Sequence, residues 1–254
     1  MPHTKDVIAD DVHADDVIAD YQLRESLDFI IRERRAVRSF SSEPLPDKVL
    51  QHCLELAMLA PNSCNLQPWE FIVIRQPETL KALHSICLQQ KAAKAPVIIA
   101  VVARPDAWKT ACPAIIKQWP RHPMPEPLRR FYSAVAPFQY NQGALGIRGL
   151  LKRVFTWFSG LSKPVMRTPS SKADMTVWAV KSTALAAENL MLALQSHRYC
   201  SCPMEGFDEK RLKKLLNIPA GHIPVMLIAA GKPGERPVYN PRMRFDPADA
   251  IRWL

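Results

Sequence analysis

The chain has 254 residues, of which 48% are apolar and 23% charged, and it carries a net charge of +10. That suffices for one sizeable soluble core, or one domain with a large insertion. No run of eighteen or more uncharged apolar residues occurs, which excludes a membrane-spanning helix, and no basic stretch followed by an apolar one opens the chain, so no secretory signal is expected. Six cysteines, at 53, 64, 87, 112, 200 and 202, form neither a C-x-x-C pair nor zinc spacing with histidines, and are expected to be reduced thiols in the cytoplasm.

The charge is unevenly distributed. Residues 1–20 hold six aspartates and one lysine, a balance of −5 that leaves +15 on residues 21–254. Such a body suits an anionic ligand, a cofactor phosphate, anionic lipid or nucleic acid. Nucleic acid is disfavoured, because zinc-finger spacing, an RNP-like aromatic motif and a sustained basic stripe are all absent from the sequence.

Residues 6–20 repeat a five-residue unit, Asp-Val-Ile-Ala-Asp, whose period matches neither a helix nor a strand. The pattern predicts a flexible acidic arm over 1–20 ahead of a single domain over 21–254. Leu23, Leu27, Ile30 and Ile31 then mark one face of a helix starting near Tyr21 and leading into Arg32-Glu-Arg34-Arg35-Ala36-Val37-Arg38. If the helix continues, Arg34 and Arg38 share a face, where mutual repulsion is tolerable in water or useful around an anion.

A second helix is expected from Val49 to Ala60. The proline-bracketed stretch Pro61-Asn62-Ser63-Cys64-Asn65-Leu66-Gln67-Pro68-Trp69 has the composition of a loop. Glu70–Ile74 reads as a short strand, Pro77–Lys94 as helix and the apolar run Val97–Ala103 as a buried strand. The region from Arg104 to Pro169 holds nine of the 23 prolines, and within it Ile147, Leu150, Leu151, Val154, Phe155 and Phe158 form a helical stripe. Glycines 143, 146 and 149 lack the spacing and preceding strand of a dinucleotide fingerprint. Ser171 and Asp174 suggest a capping box opening a long central helix over Met175–Leu194. Asp208–Leu216 is expected to be a short basic helix and Val225–Ala230 a last core strand, before a tail containing Arg242 and Arg244.

Four separated segments, in order, resemble the FMN-dependent nitroreductase family. They are Arg34–Phe40, Ala60–Trp69, Cys202-Pro203-Met204-Glu205-Gly206, and Gly231-Lys232-Pro233 followed by Arg242 and Arg244. The resemblance implies an α+β fold, a three-layer α/β/α sandwich with a mostly antiparallel central sheet, assembled as an intertwined homodimer with FMN at the subunit interface. It implies that Arg34, Arg35 and Arg38 contact FMN and that Arg242 and Arg244 complete a phosphate clamp. Ala36 stands where the family often has serine, leaving only a backbone contact there. Pro61, Asn62, Ser63 and Asn65 would reach the flavin of the partner subunit, and Pro203, Met204, Glu205 and Gly206 would lie along it, with Glu205 a structural acceptor rather than an acid. Gln90 or Lys91 would approach the flavin edge.

No side-chain acid–base set is expected, since the flavin carries the chemistry. The implied activity takes hydride from NADH or NADPH and passes electrons to a nitroaromatic, quinone or similar small-molecule acceptor by a ping-pong cycle. A specialised reduced-flavin enzyme of the same fold and a non-catalytic flavin or anion binder are the alternatives. Set against the resemblance, residues 104–170 are expected to be an insertion longer than usual for the family. The Ile147–Phe158 stripe within it is expected to cover the protein's own core or dimer interface, to act as a lid, or, in third place, to lie on an anionic membrane.

Overall fold

A computed structural model describes residues 14–120, 123–143 and 146–254. Residues 1–13, with most of the acidic repeat, lie outside the described residues; the first helix, α1, runs from Ala14 to Glu33, so it begins within the stretch expected as a flexible arm and not near Tyr21.

The core is organised by β2 (Val97–Ala103), all seven of whose residues are buried. It pairs antiparallel with β1 (Trp69–Ile74) on one side and with β4 (Ile223–Gly231) on the other, and β3 (Cys200–Met204) completes the order β1-β2-β4-β3. Alternation along β2 sends Val97, Ile99 and Val101 to one face and Ile98 and Ala100 to the other. The first face packs on α2 (Asp47–Ala57) and α8 (Lys172–Ser196) through Leu50, Cys53, Leu190 and Leu194. The second packs on α3 (Pro77–Ile86) and α9 (Glu209–Leu216) through Leu83, Ile86 and Leu212. Helices thus cover both faces of an antiparallel sheet, and each buried valine or isoleucine of β2 stabilises the fold by about 1.5–3 kcal/mol. A register shift falls between Val101 and Val102, where Pro224, which has no N–H to donate, stands opposite Val102.

Half of the expected capping box is present: Ser171 Oγ accepts from the Asp174 amide at 3.0 Å and opens α8, while Asp174 Oδ2 accepts from the Ser170 amide at 2.7 Å rather than from that of Ser171. Asp208 caps α9 by accepting from the Arg211 amide at 3.1 Å. Two further expected boundaries are corrected. The second helix stops at Ala57 rather than Ala60, because the chain tightens into Leu59 N–H to Leu56 O and Ala60 N–H to Ala57 O bonds ahead of Pro61. The helix expected over Pro77–Lys94 ends at Ile86, since the Leu88 amide bonds instead to Gly206 O at 2.8 Å, and only a short 3₁₀ turn follows at Ala92–Lys94.

Between β2 and α8 lie α4 (Trp108–Lys117), α5 (Glu126–Arg130), a π turn at Phe131–Val135, α6 (Ala136–Tyr140) and α7 (Ile147–Ser159). The stripe of α7 does not cover the protein's own core: Ile147, Leu150, Leu151, Val154, Phe155 and Phe158 are all exposed. The inward face is instead Gly149, Lys152 and Thr156. Carbonyls beneath the helix need donors, and Lys152 Nζ supplies them, bonding to Gln139 O at 3.1 Å and Pro169 O at 2.7 Å.

Candidate active site

The arginine segment is extended, not helical. α1 ends at Glu33, and the next residues pair with the open edge of the sheet: Ala36 bridges Ser201 in parallel, and the Val37 amide bonds to Ser201 O at 3.0 Å. The Arg38 amide bonds to Pro237 O at 2.9 Å and the Gly234 amide to Ser39 O at 2.8 Å, tying the segment to the C-terminal tail. In an extended chain alternate side chains share a side, so Val37 turns into the core while Ala36 and Arg38 face outward.

The two arginine clusters meet. Arg242 Nη2 donates to Arg34 O at 2.5 Å, and Arg35 Nη2 donates to Asn240 O at 2.7 Å. Arg34 Nε lies 3.6 Å from Glu188 Oε1 on α8. Arg244 turns back to bond the Met243 carbonyl at 2.8 Å and is exposed. Beside this cluster, Arg38, Lys91, Lys94, Arg236 and Tyr239 line a recess of about 550 Å³ in which Glu235 is the one acidic wall residue. Lys91 Nζ sits 5.0 Å from the Tyr239 ring centroid, and Gln90 instead engages His84 Nε2 through its carbonyl at 3.0 Å. Several guanidinium and ammonium groups converging with so little opposing charge suit a phosphate or other small dianion.

Pro203 and Met204 belong to β3, whose pairing with β4 ends at Met204 opposite Leu227. Glu205 and Gly206 lie past that ladder, with the Gly206 carbonyl taken by Leu88. Gln89 Oε1, 3.6 Å from where a Cβ at Gly206 would stand, is buried without a hydrogen-bond partner among the described residues. Burial raises the thiol pKa of Cys202, next to Pro203, with Arg38 pulling weakly the other way.

Pro61, Asn62, Ser63 and Asn65 are not brought to the arginines by contacts of their own loop. Asn62 closes the loop by accepting from the Gln67 amide at 2.9 Å and donating to Ala60 O at 3.2 Å. Cys64, Asn65 and Gln67 all take left-handed φ angles, of 58°, 50° and 45°. Two tyrosines hold this strained turn: Tyr140 Oη lies 2.9 Å from Ser63 Oγ and donates to Cys64 Sγ at 3.5 Å, and Tyr132 Oη donates to Cys64 O at 3.2 Å. Burial first, then the contact with Cys64, pushes the Tyr140 phenol up, against an opposing bond from Ser63, so it stays a neutral donor. Pro61–Ser63 face a cavity of about 640 Å³ walled by Tyr140, Met166, Trp178 and Leu185.

A family model described as the Nitroreductase family matches residues 31–232. The chain belongs to that family. The Nitroreductase match spans β1 to β4 and both the arginine segment and the Asn62 loop. Among relatives, the chain is 26% identical over 215 residues to an NADH dehydrogenase of Thermus thermophilus, covering 84% of this chain and 90% of that one. It superposes with a TM-score of 0.68 and 21% identity on a nitroreductase family protein from Streptococcus pneumoniae, covering 89% and 98% of the two chains. A nitroreductase-type chain from Exiguobacterium sibiricum, solved in complex with FMN, superposes with a TM-score of 0.69 and 22% identity over 90% and 97%. These likenesses establish the nitroreductase fold, with its antiparallel sheet and flanking helices.

The sequence did not single out Tyr140 or Tyr132 as supports of the Asn62 loop. They lie 76 and 68 residues from Cys64, and nothing local marks them. Glu188, the one acidic residue of α8 beyond its first turn, carried a weak signal as a partner for Arg34.

Proposed function

We propose that this nitroreductase is an FMN-dependent oxidoreductase that takes hydride from NADH or NADPH and reduces a nitroaromatic, quinone or similar small-molecule acceptor by a ping-pong cycle, as a homodimer. The observation that carries this is the meeting of Arg34 and Arg242 across 208 residues beside the Arg38–Lys91 recess. A donor set of this kind fits the phosphate of a flavin mononucleotide.

FMN, when bound, supplies the two-electron centre; the chain's residues hold and shape it. Arg34, Arg35, Arg38 and Arg242 neutralise the phosphate, and Arg244 is free to swing in from the exposed tail. Ala36 contributes no side-chain donor. Pro203–Gly206 lies along the ring, where the Glu205 and Gly206 amides stand outside the β3–β4 ladder. Lys91 rather than Gln90 faces the cofactor's edge, a reading supported by the recess that it shares with Arg38. The Pro61–Asn65 loop, which makes no hydrogen bond or ion pair to the arginines among the described residues, closes the site of a second copy. All six cysteines are free, which supports a reducing, cytoplasmic setting.

The test is the absorption spectrum of the purified protein, followed by anaerobic addition of each nicotinamide. A flavin spectrum bleached by NADH or NADPH, and restored by a quinone or nitroaromatic, is the expected result. A colourless protein that takes up no FMN overturns the proposal.

A further inference from the structure

α7 is an inside-out amphipathic helix. Its polar residues are fastened to the body: Lys152 to two carbonyls, Arg153 Nε to Ser170 Oγ at 3.3 Å, and the Thr156 carbonyl to Arg167 Nη1 at 3.2 Å. Gly149 is pressed so closely on the chain that an added Cβ would stand 2.1 Å from Ser170 O. The helix therefore cannot roll to bury its apolar face without breaking these bonds. That face, with Phe155 at 70% and Trp157 at 56% exposure, continues onto exposed Phe138 and Met166 around a groove of about 670 Å³. It contributes no wall residue to the cavity at Pro61–Ser63, so it is not folded over that cavity in this conformation.

Charge indicates what meets this face. Residues 127–173 contain eight lysines and arginines and no aspartate or glutamate. Arg148 and Lys163, both exposed, rim the groove itself. An apolar ridge bearing a tryptophan, bordered only by cations, matches the boundary of an anionic bilayer: acyl chains take the ridge and acidic headgroups take the rim. A second copy presenting this same face would instead bring another basic surface against the first, which is electrostatically unfavourable. No helix among the described residues is long and apolar enough to cross a membrane, so the attachment is to the surface. We propose that the outward face of α7 is a docking surface for an anionic lipid bilayer, holding the enzyme on the membrane by its exposed apolar side chains, Leu151, Phe155 and Trp157 among them, and by its Arg148 and Lys163 rim.

The experiment is vesicle co-sedimentation of the full-length holoprotein, with vesicles of equimolar phosphatidylglycerol and phosphatidylcholine compared with phosphatidylcholine alone. The wild type is expected to sediment with the anionic vesicles, and less so in high salt. Leu151→Glu with Phe155→Glu lowers the bound fraction roughly tenfold, and Arg148→Glu with Lys163→Glu removes the preference for phosphatidylglycerol. Because these side chains are already in water, flavin content and thermal midpoint are the controls for intact folding. As a second measurement, brominated lipid quenches tryptophan fluorescence in the wild type, and the quenching drops sharply in Trp157→Phe. Sedimentation no greater with anionic than with neutral vesicles overturns the proposal, as does retention of wild-type binding by the double glutamate variant. A vesicle-free dimer or larger oligomer that the same variant splits would assign the face to a second copy and also overturn it.

Discussion

Arg242 donates a hydrogen bond to the backbone carbonyl of Arg34 at 2.5 Å, joining the exit of the first helix to the C-terminal tail. The contact fixes the Arg242 guanidinium against the backbone of the arginine segment and leaves its other donors for an anion. Charge-assisted bonds are worth about 1.5–3 kcal/mol each, so Arg242→Met is expected to raise the FMN dissociation constant roughly ten- to a hundred-fold. Arg242→Lys, a point charge without the planar fork, should recover only part of the loss. Titration of flavin fluorescence measures both. Wild-type affinity in the methionine variant would remove Arg242 from the clamp.

Tyr140→Phe deletes the hydroxyl that meets Ser63 and Cys64 without altering the packing of the ring on Trp178, whose centroid is 4.7 Å away. The Asn62 loop, with three residues in left-handed conformations, then loses a restraint. A stability loss of about 1 kcal/mol is expected from urea unfolding. Acceptor reduction should fall several-fold, with a smaller loss of FMN affinity, because the tyrosine supports the loop that closes the flavin site and not the arginines. A parallel fall in FMN affinity would contradict that separation.

Gly149→Ala tests the seating of α7. The added methyl stands 2.1 Å from the Ser170 carbonyl and 2.7 Å from Gln142 Oε1, both on the body of the protein. Overpacking of this kind costs about 1–3 kcal/mol. The effect should be local, read as faster proteolysis of residues 140–170 with the sheet still protected from hydrogen exchange. Unchanged proteolysis would mean that the helix shifts to accommodate the methyl.

Alkali should weaken the fold through two buried thiols. Burial pushes Cys53 and Cys87 from an ordinary 9.0 up to about 11. Below pH 9 both are neutral whether the chain is folded or not, and no stability is lost. As pH rises from 9 to about 11 the unfolded chain releases these protons first, so folding stability declines, at most by roughly 2 kcal/mol for each thiol. Urea midpoints compared at about pH 8 and about pH 10.5 measure the decline, which should be shallower in Cys53→Ala with Cys87→Ala. An equally steep decline in that variant would place its origin elsewhere.

The family, the layers and the sheet were legible because their signals are local. Val97–Ala103 is apolar throughout and became the central strand; Ser171 and Asp174 stand three apart and became the cap of α8. The arginines were legible as a cluster but not in conformation. A run of arginines has good helical propensity, and only the distant Ser201 edge, competing for the Val37 amide, draws the segment into extended form. The polarity of α7 was likewise hidden: the periodic stripe marks a helix but cannot say which face turns inward. That was decided by the carbonyls of Gln139 and Pro169, which required a lysine. Tyr140 escaped notice for the same reason, since its partners are supplied by the tertiary fold.

The parallel bridge from Ala36 to Ser201 gives the molecule one further property. The exposed border of β3 would otherwise offer unpaired amides to any passing strand, and it is the arginine segment that closes it. Releasing those arginines would therefore unzip a margin of the sheet, so loss of cofactor and adhesion between molecules become consequences of one event. A preparation stripped of flavin should clump sooner than one kept saturated, long before its interior melts.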